Sequence, residues 1–134
     1  MKTKNILVML IVLAAGSFTI TASAQDTLNA LMNKCESMDD VNMDVIQQRN
    51  PSTKKLTQVI KSVSIKNNKA LIDDFLKAFE ADKNEAIQAI YSKKNGKMVP
   101  SYFQFKTGSK NVSYSFSMKN NGADASIDMI QNGE

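Results

Sequence analysis

The only thiol of the sequence, Cys35, is the side chain best suited to nucleophilic chemistry, because the chain contains no histidine. A reactive thiolate needs a neighbouring base or cation that lowers its pKa. Lys34 and Glu36 adjoin Cys35, but neighbouring residues of a helix project to different faces. Cys35 instead shares an apolar stripe with Leu28 and Met32. We therefore interpret it as a buried, inert thiol, and keep a catalytic nucleophile and an intermolecular disulfide as alternatives.

An acidic segment superficially resembles a calcium-binding loop, since Asp40, Asn42 and Asp44 fall at alternate positions. Such a loop continues with glycine after the third ligand and glutamate at the twelfth position. Val45 and Pro51 stand at those two places. The acidic segment is therefore interpreted as the solvent-exposed face of a strand.

Two further groups of residues also lack the geometry that their chemistry needs. Asp73 and Asp74 adjoin on a predicted helix, where successive side chains diverge by about 100°, so they form no acid/base pair. The methionines, which are potential Cu(I) ligands, mostly occupy positions that face the predicted core. The sequence therefore predicts no catalytic residue, no metal site and no cofactor, and hence a protein that is not an enzyme.

The first 24 residues have the composition of a secretory signal peptide. Lys2 and Lys4 precede an apolar run at Ile6–Gly16, and the small residues Ala22–Ala24 form a cleavage site before Gln25. A membrane anchor is the alternative, but the apolar run is shorter than the roughly 20 residues that span a bilayer. The cleavage site has no cysteine, so no lipid anchor is expected. The mature protein is predicted to be exported to the periplasm or the cell exterior, without insertion in the membrane.

Residues 25–134 are then one domain of 110 residues, enough to bury a core without disulfides. Removing Lys2 and Lys4 from the 17 basic residues leaves 15 against 13 acidic ones, and the net charge falls from +4 to +2. Of these basic residues only Arg49 is arginine, and the lysines are scattered along the chain. Nucleic-acid binding, which favours a clustered basic face, is not expected.

The elements that must position these residues follow from the spacing of apolar side chains. Residues 26–38 predict a helix, residues 39–48 alternate as a strand, and residues 68–82 predict the clearest helix, capped by Asn68. Residues 51–65 are ambiguous. Pro51 and the apolar spacing after it fit a short helix, whereas the "SVSI" segment fits a strand, and we predict a short helix followed by a strand.

The remainder predicts an antiparallel meander of four strands. Asn95-Gly96 is a strong hairpin signal, since both turn positions require a positive φ. In "VSYSFSMK" (residues 112–119) four apolar residues alternate with serines. This stripe is interpreted as the inner face of a strand rather than as a ligand platform, because neighbouring segments alternate in the same way.

If the two strands pair without interruption from the Asn95-Gly96 turn, one face of this hairpin should contact water. That face would then carry four apolar residues, which is too many for a water-facing surface: Ile87, Tyr91, Met98 and Tyr102. We favour a bulge at Pro100, which cannot donate a ladder hydrogen bond. The bulge would return Ile87 and Tyr91 to the core side. Without it, the four residues form an aromatic patch that is covered by the first helix or offered to a partner, and are the candidate interaction surface.

The layout resembles a family of short exported proteins of Bacteroides-type bacteria that is classed as a domain of unknown function. The resemblance rests on the signal peptide ending in "ASAQ", the segments "LMNKCESMDDV" and "LIDDFLKAFE", and the closing meander. It implies an exported α+β domain and assigns no functional residues. We expect an α+β fold with two helices or more packed on one face of an antiparallel sheet.

Three functions remain open. The first is a non-catalytic interaction module of the cell envelope that binds a protein, glycan or envelope component. The second is a structural or adhesion subunit that polymerises through sheet edges, which an unprotected edge strand would favour. The third is a small enzyme that uses carboxylates or Cys35, which a polar pocket with converging carboxylates would favour.

Two short segments match modification signals. Asp26-Thr27-Leu28 resembles the Asp-Thr-aliphatic site at which exported Bacteroides-type proteins receive O-glycans, so Thr27 is a candidate acceptor. The alternative is a helix cap, for which Asp26 is suited. Asn111-Val112-Ser113 matches the N-glycosylation pattern, but such short matches are frequent by chance and the signal peptide looks bacterial.

Overall fold

The computed structural model describes residues 26–132, so the predicted signal peptide at residues 1–24 lies outside the described part of the chain. Two α-helices, six strands and two 3₁₀ turns follow one another. In chain order they are α1 (Asp26–Glu36), β1 (Asn42–Arg49), β2 (Leu56–Lys66), α2 (Lys69–Asp82), a 3₁₀ turn (Lys83–Glu85), β3 (Gln88–Lys94), β4 (Lys97–Thr107), β5 (Lys110–Lys119), a 3₁₀ turn (Asn120–Gly122) and β6 (Asp124–Asn132).

The strands form one antiparallel sheet in the order β1-β2-β6-β5-β4-β3. The consecutive neighbours β3, β4, β5 and β6 are the predicted four-strand meander, and the β1–β2 hairpin extends the sheet beyond β6. Both helices pack on one face, and their buried side chains join one core with those of the sheet. The predicted α+β architecture is therefore confirmed. We call the other face, away from the helices, the open face.

The core centres on Phe79 of α2, which is fully buried. Its ring meets Phe103, Tyr114 and Phe116 edge-on, with ring centroids 5.0, 6.3 and 5.6 Å away. Edge-to-face aromatic pairs stabilise a core beyond the area that they bury. The "VSYSFSMK" stripe thus lies inside the protein, with Val112, Tyr114 and Phe116 buried, as the alternation predicts.

The short helix predicted from Pro51 is wrong, because Leu56–Lys66 is one strand, β2, and Pro51 lies in the turn before it. The helical spacing of the apolar residues was coincidental. The segment is rich in β-branched residues, and β2 pairs along its length with β1 on one side and β6 on the other. The turn is closed locally, since the side-chain oxygen of Asn50 accepts from the N–H groups of Ser52 (2.8 Å) and Thr53 (3.0 Å).

The capping and turn signals are confirmed at two places. Asn68 is the N-cap of α2, and its side-chain oxygen accepts from the N–H of Leu71 at 3.1 Å. Asn95 and Gly96 adopt φ of 52° and 76°, and the two-residue turn pairs Lys94 with Lys97.

The bulge predicted at Pro100 is also present. Ile90 pairs with Tyr102 but Tyr91 pairs with Pro100, which leaves Ser101 as the extra residue of β4. Tyr91 is thereby returned to the helix-facing side, where its ring lies 6.3 Å from that of Phe103. The expectation for Ile87 is wrong. Ile87 precedes the paired residues of β3 and is 60% exposed.

A buried carboxylate joins the two helices. Asp82 ends α2, is only 6% exposed, and its Oδ2 accepts from the N–H of Leu28 in the first turn of α1 at 2.9 Å. First-turn amides have no acceptor within their own helix, and the positive end of the helix dipole favours a carboxylate there. Asp82 thus caps α1 from a position 54 residues away in the chain.

We expect Asp82→Ala to lower the free energy of unfolding by about 2–3 kcal/mol, because it leaves a first-turn amide without its charged acceptor. Asp82→Asn retains an acceptor oxygen and should lose less. Chemical denaturation of the three proteins measures the effect. The control is Asp74→Ala on the exposed side of α2, which should change stability by no more than about 0.5 kcal/mol. An Asp82→Ala protein as stable as this control would contradict the capping role.

Candidate functional site

The four residues of the predicted aromatic patch do not share one surface. Tyr91 and Met98 lie on the helix-facing side, where Met98 packs partly buried against the core. Tyr102 lies on the open face, half-buried and paired with the 48% exposed Ile90. Ile87 is exposed before β3 begins. The bulge therefore separates the two tyrosines onto opposite faces of the sheet.

Tyr91 is held on the helix-facing side by contacts within the chain. The Nζ of Lys83 lies 5.4 Å from the centroid of the Tyr91 ring, and it also donates to Glu80 Oε2 at 3.0 Å. The hydrogen bond to Glu80 raises the pKa of Lys83, with a smaller contribution from Tyr91. Lys83 and Phe103 therefore cover part of the Tyr91 ring, although 45% of the residue remains exposed.

Cys35 lies where its apolar stripe predicts, 1% exposed and within the core cluster. Burial raises the pKa of the thiol, and the charge of the neighbouring Lys34 offsets only part of that increase. Since the thiolate is the nucleophilic form, a raised pKa and a buried sulfur both oppose reactivity.

The acidic residues do not converge. Within residues 26–132 no group of three or more histidine, cysteine, aspartate or glutamate side chains is arranged to hold a metal ion. Asp40 precedes β1, and Asp44 lies exposed on β1. Asp73 and Asp74 lie on α2, where Asp73 lines a shallow cavity of about 340 Å³ beside the β3–β4 turn.

Thr27 is exposed in the first turn of α1, where it lines a cleft of about 440 Å³ between α1 and α2. A modifying enzyme could therefore reach its hydroxyl. Glycosylation of Thr27 stays a prediction.

The open face carries a feature that the sequence analysis did not identify, a row of isoleucines across three neighbouring strands. Ile46 of β1 pairs with Ile60 of β2, and Ile60 pairs with Ile130 of β6. Ile46 is 51% exposed and Ile130 37%, while Ile60 between them is half-buried. We call Ile46, Ile60 and Ile130 the isoleucine row. Cross-strand pairs of this kind form one continuous apolar strip.

The isoleucine row is surrounded by polar side chains. Its continuation across the sheet consists of Ser113, Gln104 and Gln88, and the adjacent row begins with Asp44, Ser62 and Asp128. The apolar strip therefore starts at the β1 edge and ends at the middle of the sheet. An apolar strip with a polar surround is typical of an interaction site rather than of a water-facing sheet surface.

The two edges of the sheet differ in how they are protected. Natural edge strands avoid unwanted pairing by lysines, prolines and bulges. β3 has Lys93 and Lys94 and pairs across the bulge opposite Pro100. β1 contains neither lysine nor proline, and over Asn42–Gln48 its register with β2 is regular. β1 is thus the unprotected edge, and it adjoins the isoleucine row.

A signal for this site was present in the sequence. In "DDVNMDVIQQ" the alternation of apolar residues is broken by the adjacent pair Val45-Ile46. Two adjacent apolar residues in a strand point to opposite faces, so both faces of the strand are expected to be covered by other parts of a protein at that position. In the folded chain neither is covered, since Val45 is 45% exposed and Ile46 51%.

Comparison with known proteins assigns no activity. A family model described as "Domain of unknown function (DUF5024)" matches residues 25–130. No curated protein and no solved structure matches the chain. No helix in the described part of the chain has the length and apolar character needed to cross a bilayer.

We expect a thiol reagent to label Cys35 slowly in the folded protein and rapidly in denaturant, because the sulfur is buried and its pKa is raised. Cys35→Ala should cost about 1 kcal/mol or more of stability through the cavity that it leaves. The label is counted by intact-mass measurement. Rapid labelling of the folded protein would restore the nucleophile and disulfide interpretations.

A second expectation concerns Tyr114, whose pKa is raised above its ordinary value of 10.0 by burial and, to a smaller extent, by the charge of Asp82. Above about pH 10 the phenol of Tyr114 loses its proton in the unfolded chain but keeps it in the folded chain. The stability contribution of Tyr114 is therefore complete below pH 10 and decreases above it, by up to about 1.4 kcal/mol per pH unit.

Urea unfolding of the wild-type protein and Tyr114→Phe, from about pH 9 to about pH 11, measures this decrease. All other titratable groups are the same in both proteins, so their contributions cancel in the difference. The wild-type stability should fall more steeply than that of Tyr114→Phe. Parallel pH profiles would show that the folded state permits ionisation of Tyr114.

Proposed function

We propose that this chain, which belongs to the DUF5024 family, is an exported, non-catalytic interaction module of the cell envelope that binds a protein partner by adding a strand at β1. The observation that carries the proposal is the unprotected β1 edge, which is continuous with the isoleucine row. Strand addition uses backbone hydrogen bonds for affinity and alternate side-chain contacts for specificity.

The β1 edge meets both requirements of strand addition. As an edge strand it is paired only with β2 among the described residues, so along its other side the N–H and C=O groups of alternate residues are available to a further strand. Its side chains then offer two different surfaces. Asp44, Ile46 and Gln48 lie on the open face, while Met43 and Val45 lie on the helix-facing side.

Two observations support export. Residues 1–24 have the charge and hydropathy pattern of a signal peptide, and the family match begins at residue 25, directly after the predicted cleavage site. The resemblance to short exported proteins of Bacteroides-type bacteria supports the same compartment. Intact-mass measurement of the protein from its native cells tests this part of the proposal, with loss of the first 24 residues expected and retention contradicting it.

The second candidate, a structural subunit that polymerises through sheet edges, is favoured by the same open β1 edge. A fibre, however, needs an open edge on both sides of the sheet. The lysines of β3 and the bulge in its neighbour β4 oppose pairing there. A closed contact through β1 alone is therefore the better-supported proposal.

Site-specific photo-crosslinking in the native cells tests strand addition. A photoreactive amino acid replaces Ile46 on β1 and, as the matched control, Ile90 on β3, which is 48% exposed against 51% for Ile46. We expect an adduct of discrete mass from position 46 and none from position 90, because only β1 is open to a partner strand. Absence of an adduct at position 46, or equal adducts at both positions, would contradict the proposal.

A further inference from the structure

We propose that the strand added at β1 is β1 of a second copy of this chain, so that two six-stranded sheets join edge to edge around a two-fold axis. The inference deepens the proposed function and rests on it, since it names the partner at the same edge. Three features of the chain select a second copy as the occupant: the self-complementarity of β1, its charges and the different protection of the two sheet edges.

A two-fold axis perpendicular to the sheet restricts the possible registers. It keeps the helices of both copies on the same side, so residues that face each other across the axis must point to the same face. β1 spans Asn42–Arg49, and Val45 and Ile46 are its two central residues. The axis therefore passes beside Val45, on the helix-facing side, or beside Ile46, on the open face.

The register centred on Ile46 is the more complementary one. Ile46 then faces its own symmetry mate, Val45 faces Gln47, and Asp44 faces Gln48. No residue faces a like charge, and each carboxylate faces an amide that can donate to it. The isoleucine rows of the two copies also become one strip of six side chains that crosses the interface.

The register centred on Val45 lacks these features. Asp44 would face Ile46, which places a carboxylate against an apolar side chain on both sides of the axis. The isoleucine rows of the two copies would be displaced from each other by two residues along the strand direction, so they would not form one continuous strip. Charge and apolar continuity therefore both select the register centred on Ile46.

The surroundings of β1 leave room for a second copy. Val45, which points to the helix-facing side, is 45% exposed, and Gln47 beyond it is also exposed. A salt bridge of 3.1 Å joins Glu36 at the end of α1 to Lys61 of β2, the strand next to β1. Met43 near the start of β1 packs against the core, but the centre of the strand at Val45 and Ile46 is exposed. Because β3 is protected, the assembly closes as a dimer.

Sedimentation equilibrium of the mature protein, from about 1 µM to about 1 mM, should show a monomer–dimer equilibrium. Ile46→Lys, which places lysines opposite each other, should weaken the dimer about a hundredfold. Ile90→Lys on β3 is the matched control and should leave the dimer unchanged. A protein that is monomeric over this whole range, or equal effects of the two variants, would overturn the proposal.

A pair of opposite charge changes at one position tests the register. Gln48→Lys sets a lysine opposite Asp44 of the second copy and should strengthen the dimer about threefold to tenfold. Gln48→Asp sets two carboxylates together and should weaken it by a similar factor. In the register centred on Val45, position 48 faces Asn42, and neither change would have this effect. Identical dimer affinities for both variants would overturn the Ile46-centred pairing.

Disulfide trapping gives an independent measurement of the same contact. In a Cys35→Ala background, Ile46→Cys places two thiols opposite each other at a Cα separation of about 4.5–5.5 Å, within the range that a disulfide requires. Oxidation should yield a covalent dimer. Gln47→Cys is the control, because it faces Val45 and should remain monomeric, and preferential trapping at position 47 would overturn the register.

The results separate this inference from the proposed function. A photo-adduct from position 46 with twice the mass of the chain supports the dimer. A position-46 adduct that contains a different protein, from a chain that sediments as a monomer, overturns the dimer and leaves strand addition at β1 intact. If position 46 gives no adduct at all, both the dimer and strand addition at β1 are overturned.

Discussion

The buried carboxylate of Asp82 is the constraint on which the helical layer depends. A carboxylate that is 6% exposed must have its lone pairs satisfied, and the first-turn N–H of Leu28 satisfies one of them at 2.9 Å. The same charge acts on Tyr114 of β5, where it adds to the effect of burial on the phenol pKa. One side chain thus links the start of α1, the end of α2 and the centre of the sheet.

This arrangement determines which surfaces remain free. α2 covers the part of the sheet that contains the aromatic cluster around Phe79, and α1 packs beside α2. The outer half of the β1–β2 hairpin then has no layer above it, and Val45 and Ile46 are exposed on its two faces. The proposed interaction site is a consequence of where the helices end. The two edges of the sheet acquire different roles because β3 carries lysines and pairs across a bulge near its middle, whereas the register shift between β1 and β2 lies at the end of β1, between Gln48 and Arg49.

The parts of the fold that follow from local sequence were predictable. Asn68 can cap only the helix that begins after it, and the positive φ values at Asn95 and Gly96 are a property of that dipeptide. The alternation in "VSYSFSMK" likewise needs no knowledge of its neighbours. The error at β2 has the opposite origin. Its apolar spacing fits a helix and its β-branched residues fit a strand, and pairing with β1 and β6 decides between them.

By itself the sequence determined the type of each clear element and the α+β class. It also determined the buried position of Cys35 and the bulge beside Pro100. Each of these depends on residues that are close in the chain or on one repeating pattern. Only the tertiary structure decided that Asp82 caps a helix 54 residues away and that Ile46, Ile60 and Ile130 form one row. The physical reason is register. Alternation assigns each side chain to a face of its strand, but which residues become neighbours depends on how distant strands align, and no local pattern contains that alignment.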